Sequence, residues 1–354
     1  ENAASNDFFD EANWENKQSG ESPDAGSIDP GVAIDDTLQI FGIDQEIVAS
    51  GIIELGEGIL DIKNASLSGN SISGGKVNIF HRGYIQLDAS SPFLNDVAFN
   101  FADSNNWLKL KNVSPTDALN EYLNSVLISG ISAQYPDNIR IDNYYLNGSV
   151  LRPDGADTSP LTIYNQQSFQ GNSESIFVNQ IYEGTDIPGE MNNEISSFIL
   201  NRGYMVTLAE NSDGTGISKV FIASEDDLKI SQLPDNLQNI ISFIRVIPWN
   251  WVCKKGIGGR VTGLDETWWY AWSNNGNSTI KREYAPMSWG KGGADDPSDI
   301  ELYRNKYKAT HVMAFNESDN CEDQSGQYGD LCKTDVAVAT YENLMKTGLR
   351  LVSP

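Results

Sequence analysis

Short runs in which apolar and polar residues alternate dominate the chain from Asp36 to about Asn147. They include Thr37–Phe41, Lys76–Phe80 and Tyr84–Leu87, and turn residues separate them. A period of two is the pattern of strands with one buried face, so it predicts a mainly β domain over residues 28–157. Glycine-containing turns here leave a parallel solenoid open as one possibility, although no fixed period is evident.

Two segments of this half of the chain depart from the alternating pattern. Ser114 and Pro115 supply an N-cap and a first-turn proline, so we predict a helix that begins there. Residues 1–27 are acidic and poor in aliphatic side chains, which predicts a loosely held acidic arm. No role of residues 1–157 follows from these patterns.

An internal repeat occupies residues 158–248. Gly171 and Gly216 lie 45 residues apart, and so do Ser197 and Ser242. Two copies of about four strands each predict a compact sandwich in which each copy buries the apolar face of the other.

The repeat region resembles a βγ-crystallin domain in its Tyr164–Gly171 hairpin and in its hexapeptide Asn192–Ser197. The resemblance implies a Greek-key sandwich and a structural calcium site, since calcium prefers oxygen ligands. In the second copy Leu237 and Ile241 replace oxygen-bearing positions, so we expect one strong site and one lost or weak site. The alternative is a sandwich whose Asn and Ser residues only cap turns. The candidate metal ligands are Asn192, Asn193, Glu194 and Ser196.

Six of the eight tryptophans fall between Trp249 and Trp289. Sugar rings stack on flat aromatic faces, so the cluster predicts a carbohydrate-binding surface that includes Trp269, Trp272 and Trp289. For any single tryptophan, ordinary packing in the core is the alternative.

A continuous apolar run beginning at Ala309 ends in Asn316 and Glu317. Such a run is typical of a buried parallel strand, and catalytic groups lie at the carboxyl ends of barrel strands. A carboxyl group desolvated by aromatic rings there would keep its proton near neutral pH, as a general acid must. Residues 335–346 follow as a predicted helix with Val338, Tyr341, Leu344 and Met345 inward, and Leu349–Pro354 as a further strand, which favours a parallel β-α-β arrangement.

Five motifs of the C-terminal segment occur in order and resemble the glycosyl hydrolase catalytic core family (family 128). They are Trp251–Gly256, Trp269–Ser273, Tyr284–Gly290, Phe315–Asp319 and Gly348–Pro354.

The resemblance implies an endo-β-1,3-glucanase with a (β/α)8 barrel and a retaining mechanism, of which residues 249–354 are an incomplete, N-terminal portion. Glu317 is the implied acid/base on the fourth strand, with Asn316 beside it at the substrate. The implied nucleophile comes from the seventh strand, so we expect it, and further chain or domains, beyond Pro354. The family usually has proline where Ser318 stands, which affects the backbone after the acid.

The formal charge of −25 argues against nucleic acid and anionic membranes as partners, whereas a neutral β-glucan is not repelled. No apolar run is long enough to span a membrane. With two histidines in all, a His-based zinc site is not expected, and we expect no cofactor for catalysis.

Cys321 and Cys332 enclose a short polar loop and suit a local disulfide of an exported protein, which leaves Cys253 over. The chain begins at Glu1 without Met, consistent with a removed signal peptide, and we predict a secreted or cell-surface location.

The sequence thus predicts a secreted glycoside hydrolase that acts on β-1,3-glucan, with the crystallin-like module as a spacer or calcium-stabilised accessory. Residues 1–354 alone are expected to be inactive. The alternative is a non-catalytic carbohydrate-binding or cell-surface multidomain protein.

Overall fold

The structure, a computed structural model, describes residues 7–8, 37–42, 46–155, 157–178, 180–261 and 263–353. The chain divides into two compact units, Glu1–Gly155 and Ala156–Pro354. Apart from Asp7 and Phe8, the predicted acidic arm lies outside the described residues.

The first unit is a solenoid-like stack of mostly parallel strands. Its strands are β1 (Thr37–Phe41), β2 (Glu46–Val48), β3 (Ile52–Lys63), β4 (Ser66–Gly69), β5 (Ser71–Phe80), β6 (Tyr84–Leu87), β7 (Phe93–Leu94), β8 (Ala98–Phe101), β9 (Trp107–Leu110), β10 (Val126–Ile128), β11 (Ile131–Ser132), β12 (Ile139–Tyr144) and β13 (Gly148–Pro153). One sheet has the order β1-β3-β5-β8-β10-β11, with β7 beside β5, and the other has the order β12-β13-β9-β6-β4-β2.

The coils of this stack differ in length, which explains why no fixed period is visible in the sequence. Thr37 pairs with Ile59, Ile59 with Lys76, and Lys76 with Ala98, so successive steps are 22, 17 and 22 residues. Inward side chains such as Leu60, Val77 and Phe99 are fully buried. The alternation of apolar and polar residues therefore predicted the strands, whereas the unequal turns concealed the solenoid.

The predicted helix begins as expected and is short. The Ser114 side chain accepts a hydrogen bond from the Asp117 amide, and helix α1 (Pro115–Asp117) continues through a wider turn (Ala118–Tyr122) and a 3₁₀ turn (Leu123–Ser125). The chain then enters β10. The N-cap prediction is confirmed.

The second unit begins with the predicted sandwich, here called the sandwich segment (residues 158–248). Its strands are β14 (Leu161–Tyr164), β15 (Ser173–Ile176), β16 (Ile181–Glu183), β17 (Ser197–Leu200), β18 (Tyr204–Ala209), β19 (Ser218–Ala223), β20 (Leu228–Ile230) and β21 (Phe243–Pro248), with 3₁₀ turns at Gln167–Phe169 and Gly184–Asp186.

The two copies of the repeat exchange strands. The sheet β15-β14-β17-β20 takes β20 from the second copy, and the sheet β16-β21-β18-β19 takes β16 from the first copy. Phe198, Val206, Ile244 and Val246 belong to the one core between the sheets and are fully buried. Neither copy can bury its apolar face alone, so the two copies form one sandwich.

The C-terminal segment (residues 249–354) adds five parallel strands, and helices connect the last three of them. Its elements are β22 (Gly256–Gly258), β23 (Trp268–Tyr270), β24 (Glu283–Tyr284), α2 (Lys291–Asp295), α3 (Pro297–Arg304), β25 (His311–Met313), a 3₁₀ turn (Ser325–Gln327), α4 (Thr334–Met345) and β26 (Arg350–Val352).

The five strands of the C-terminal segment lie side by side in sequence order, all parallel. β23 pairs with β22 and β24, β25 pairs with β26, and a parallel bridge between Met287 and Met313 joins the two groups. Sequential parallel strands with helical connections are the arrangement expected for the start of a (β/α)8 barrel, but the barrel itself stays a prediction.

Helix α4 corrects one expectation about its inward face. Leu344 is fully buried as predicted, whereas Val338 is 58% exposed and Thr340 is buried. The buried residues Thr340 and Leu344 therefore lie four positions apart, and the predicted buried face was displaced around the helix toward Val338. Within the described part of the chain, no helix is long and apolar enough to cross a membrane.

Candidate functional site

Glu317 lies where the chain leaves the carboxyl end of β25. Ala314 and Phe315 continue the strand into the core, and Asn316 and Glu317 follow at its edge. Glu317 has a φ of 51°, and its carbonyl accepts a hydrogen bond from the Asn320 amide at 3.2 Å. A left-handed conformation is uncommon for a residue other than glycine, and such positions are enriched at functional sites.

The Glu317 side chain is exposed, which corrects the expected surroundings of this carboxyl group. The sequence predicted aromatic rings close enough to desolvate it. Instead, Glu317 itself has the left-handed conformation, and the chain leaves the strand after the buried Phe315. The carboxyl group therefore remains at the surface.

Asn316 anchors the turn that carries Glu317. Its amide donates to the Trp289 carbonyl at 2.9 Å, and its carbonyl accepts from the Ser325 amide at 3.1 Å. Its side-chain amide donates to Oε1 of Gln324 at 2.9 Å. Three hydrogen bonds therefore hold Asn316, and they also fix the backbone position of the next residue, Glu317.

The loop after Glu317 is held by a disulfide between Cys321 and Cys332, whose Cα atoms are 5.1 Å apart. The Cys332 amide donates to the Gly326 carbonyl at 3.3 Å. The disulfide closes this loop, and Gln324 and Ser325 of the loop are hydrogen-bonded to Asn316. The loop is therefore held against the residue that precedes the candidate acid. Cys253, the third cysteine, is a free thiol.

Two aromatic side chains are displayed at this edge of the sheet. Trp289 is half-buried, and its ring lies 6.0 Å from the ring of Tyr328, which is 58% exposed. Tyr328 belongs to the disulfide loop and was missed in the sequence. Its only sequence signal is a tyrosine in a polar, glycine-containing loop close after Glu317.

Trp272 and Trp269 differ in their accessibility. Trp272 is 48% exposed and has its ring 5.0 Å from that of Tyr270, so a sugar can reach it. Trp269 is 7% exposed, and its ring packs 4.6 Å from that of Tyr284. The stacking role predicted for Trp269 does not fit this environment, because strand β23 turns that side chain inward.

The opposite end of the sheet holds a buried carboxyl group that the sequence did not indicate. Glu283 is 2% exposed and accepts hydrogen bonds from Nδ2 of Asn250 at 3.0 Å and from the amide and hydroxyl of Thr310 at 2.6 and 2.9 Å. Burial opposes its ionisation, but the contact with His311 and these hydrogen bonds outweigh it, so the pKa of Glu283 lies below its ordinary value. Glu283 begins β24, at the amino ends of the strands, where buried polar groups serve stability rather than catalysis.

The predicted metal ligands of the sandwich segment lie in a loop that meets the second copy of the repeat. The Ser242 hydroxyl contacts the side-chain oxygens of Asn192 and Asn193 at 2.8 and 2.9 Å. The Ser196 hydroxyl contacts the Asn239 side-chain oxygen at 2.8 Å. The structure therefore contains two groups of neutral oxygens in equivalent places of the repeat, and both copies contribute to each group. Glu194 is exposed and belongs to neither group.

The structure corrects the alignment of the second copy. Asn193 donates its amide to the Ile241 carbonyl, and Asn239 donates its amide to the Ile195 carbonyl, so Asn239 is the equivalent of Asn193 at a spacing of 46 residues. Both asparagines have left-handed φ values, of 60° and 58°. Ser196 is equivalent to Ser242 by the same shift, because one extra residue lies after Gly216. The second copy therefore keeps an amide and a hydroxyl, so the assignment of Leu237 and Ile241 to oxygen-bearing positions was wrong.

These donors suit a hard cation in their chemistry. They are amide and hydroxyl oxygens, which calcium accepts. Among the described residues, no cluster of three or more His, Cys, Asp or Glu side chains could hold a metal ion. The donor set thus fits calcium and does not fit a metal that requires nitrogen or sulfur ligands.

Residues 250–354 match the family described as Glycosyl hydrolase catalytic core. The match supports glycoside hydrolase chemistry on a carbohydrate substrate, and it includes Glu317, Asn316 and Trp289. A search of curated proteins gave no match.

Among solved structures, the chain is similar to βγ-crystallin domains, as predicted for the sandwich segment. A βγ-crystallin domain from Flavobacterium johnsoniae is 27% identical, with 25% of this chain and 94% of that chain covered and a TM-score of 0.23. The N-terminal domain of protein S is 26% identical, with 25% and 94% covered and a TM-score of 0.22. A βγ-crystallin domain from Clostridium beijerinckii is 15% identical, with 25% and 97% covered and a TM-score of 0.22.

Proposed function

We propose that the protein is a glycoside hydrolase that cleaves β-1,3-glucan by a retaining mechanism, and that Glu317 is its proton donor. The observation that carries this proposal is the position of Glu317, directly after a parallel strand and at its carboxyl end. Functional groups of barrel enzymes lie at that edge. The neighbouring Asn316 fixes the backbone on which the carboxyl group is carried.

In the proposed reaction, the Glu317 carboxyl group donates its proton to the glycosidic oxygen as the bond from that oxygen to the anomeric carbon breaks. The resulting carboxylate then accepts a proton from the water that releases the sugar, which restores the acid. A retaining mechanism also needs a nucleophilic carboxylate roughly 5–5.5 Å from the acid. This role stays unassigned.

The exposed carboxyl group suits this role only once a glucan covers it. A sugar stacked on the Trp289–Tyr328 rings would displace water from this edge of the sheet, where Glu317 lies. The overall charge of −25 does not oppose a neutral glucan.

The test uses the natural full-length protein and laminarin, with Glu317→Gln and Glu322→Gln as matched variants. Both carboxyl groups are exposed. Glu322 lies inside the loop closed by Cys321 and Cys332, and Glu317 lies shortly before Cys321. We expect Glu317→Gln to lower kcat by roughly 10²–10⁴-fold, the usual contribution of a general acid, and Glu322→Gln to leave it unchanged. Activity that survives Glu317→Gln would refute Glu317 as the acid.

The same assay separates the enzyme from a non-catalytic binder. Affinity electrophoresis on laminarin measures binding without turnover. If the unchanged protein binds laminarin but releases no reducing ends, the alternative of a carbohydrate-binding surface protein is favoured. Soluble cellulose and chitin derivatives in parallel lanes test the proposed β-1,3 linkage.

We propose in addition that calcium binds to the sandwich segment, with Asn193 and Ser242 in one site and Ser196 and Asn239 in the other. The support is the pairing of amide and hydroxyl oxygens between the two copies, at 2.8–2.9 Å. In each site the ion would replace a direct contact between two neutral oxygens. Its role would be structural.

We propose finally that the protein is secreted or displayed at the cell surface. The bond between Cys321 and Cys332 supports this, because disulfides persist mainly in oxidising compartments. Fractionation of the producing cells tests it, and a protein found only in the cytosolic fraction, with both thiols free to alkylation, contradicts it.

A further inference from the structure

The outer face of the second sandwich sheet is buried within the second unit. On β18 and β21, Val206 and Val246 point into the sandwich core. The alternate residues Met205 and Ile247 belong instead to the hydrophobic cluster that contains Val312 of β25. Sheets covered on both faces are central elements of a fold rather than its periphery. This sheet is therefore shared by two cores, one in the sandwich segment and one in the C-terminal segment.

Polar side chains on the same outer face bind the main chain of the C-terminal segment. Arg245 is 8% exposed and donates hydrogen bonds to the carbonyls of Thr347 and, at 2.6 Å, Arg304. The Thr207 hydroxyl donates to the Gly348 carbonyl at 2.7 Å. Arg304 is the last residue of α3, where carbonyls lack partners within the helix, so Arg245 caps that helix. Thr347 lies just beyond the C-cap of α4, so the second hydrogen bond holds the chain that leaves α4.

Two glycines allow the backbones to approach closely at this contact. A Cβ atom on Gly348, which has a φ of 63°, would lie 2.8 Å from Cδ of Arg245. A Cβ atom on Gly214, which has a φ of 91°, would lie 3.1 Å from the Met345 carbonyl oxygen. A side chain at either position would separate the two segments.

We propose that the sandwich segment and the C-terminal segment are one cooperative folding unit, in which the sheet β16-β21-β18-β19 is the template for β25, β26 and α4. If that sheet opened, these elements would lose one side of their core, the cap of α3 and the hydrogen bond to the chain that leaves α4. Parts of a protein that share a core in this way open together. The sandwich segment is thus part of the core of the C-terminal segment rather than a spacer or accessory.

This arrangement has a consequence for the candidate acid, and that consequence alone rests on the proposed function. Glu317 follows β25, one of the elements that the shared sheet supports. Anything that stabilises the sandwich segment would then stabilise the backbone that carries Glu317.

The test is hydrogen exchange of the full chain, measured by mass spectrometry for Ile244→Val and for Ile199→Val as its matched control. Ile244 is fully buried in the sandwich core, on the face away from the C-terminal segment. Ile199 is half-buried on β17, in the other sheet. The Ile244 change is small enough to leave the fold intact.

In Ile244→Val, we expect exchange to accelerate by the same factor, roughly two- to tenfold, in β14 and in peptides that contain β25 and β26. Ile199→Val should change both by much less. The proposal is overturned if Ile244→Val accelerates exchange in β14 while β25 and β26 exchange as in the unchanged protein. This outcome concerns only the coupling, since neither glucan cleavage nor calcium enters the measurement.

Discussion

The guanidinium group of Arg245, on a sandwich strand, donates a hydrogen bond to the main-chain oxygen of Thr347, more than a hundred residues later in the chain. Burial, with the charge of Arg304 nearby, lowers the pKa of Arg245 to about 10, so the side chain remains charged at neutral pH. A buried charge is tolerated only if its hydrogen bonds are satisfied, and here the carbonyls of Thr347 and Arg304 satisfy them.

Replacing this residue therefore has a predictable cost. Arg245→Met removes the charge and leaves the Thr347 and Arg304 carbonyls buried without their donor, which should lower the free energy of unfolding by roughly 2–4 kcal/mol. Urea unfolding followed by tryptophan fluorescence measures it. Arg260→Met, at an exposed arginine, is the control and should stay within about 0.5 kcal/mol of the unchanged protein. Equal midpoints for all three proteins would contradict the capping role.

The lowered pKa of Glu283 predicts that the stability of the protein depends on pH. Its pKa is lower in the folded state than the ordinary value, so the ionised form contributes stability that is fully present above that ordinary value, about 4.3, and is lost as the pH falls below it. We expect the free energy of unfolding to fall between pH 6 and pH 3.5, and to fall less in Glu283→Gln. At pH 7 the variant should be less stable by about 1–3 kcal/mol, because the donors around Glu283 lose a charged acceptor.

Urea titrations at the two pH values check this expectation. Glu342→Gln, at an exposed position of α4, is the matched control and should keep the acid dependence of the unchanged protein. If Glu283→Gln keeps the same difference between pH 6 and pH 3.5, the acid dependence arises elsewhere.

The corrected register of the repeat predicts two calcium ions for each chain rather than one. Asn239 and Ser196 form a group of donors equivalent to that of Asn193 and Ser242. We expect isothermal titration calorimetry to give a stoichiometry of two, which falls to one in the double variant Asn239→Ala with Ser196→Ala. Calcium at about 100 times its Kd should stabilise the fold by about 2.7 kcal/mol per site, seen as a higher Tm.

The exposed Asn236, in the loop before the second site, supplies the control Asn236→Ala, which should keep both ions. A stoichiometry of one in the unchanged protein would restore the earlier expectation of a single working site. No heat and no shift in Tm would remove calcium from the proposed function.

The candidate acid could be predicted from the sequence because its signal is local. A buried parallel strand is a continuous apolar run, so the end of that run places Glu317 at an edge whatever the rest of the fold. The exposure of the Glu317 side chain could not be predicted. It depends on the left-handed turn at this residue and on the contacts of Asn316 with Trp289 and Ser325, which are distant in sequence.

The errors have a common physical origin in single-residue shifts. One extra residue in the second repeat moves the oxygen-bearing position from Ile241 to Ser242, which reverses the expectation for the second site. Trp269 is buried because its side chain lies on the inward face of a short strand. Val338 is exposed because the buried face of helix α4 is rotated slightly from the predicted one. Composition and periodicity fix which kind of element forms, whereas packing fixes which face is inward.

Tyr328 gives the sharpest test of the carbohydrate surface, because it is the most exposed aromatic side chain among the described residues of the second unit and was not selected from the sequence. If a sugar stacks on it, Tyr328→Ala should weaken laminarin binding roughly three- to tenfold, the scale of one ring-stacking contact of about 0.5–1.5 kcal/mol. Trp269→Phe is the contrasting variant: its ring is buried against Tyr284, so we expect lower stability and unchanged affinity. Binding by the Glu317→Gln protein isolates affinity from turnover. If Trp269→Phe weakens binding and Tyr328→Ala does not, the sugar lies on the β23 side of the sheet, and the surface assigned to Trp289 and Tyr328 is wrong.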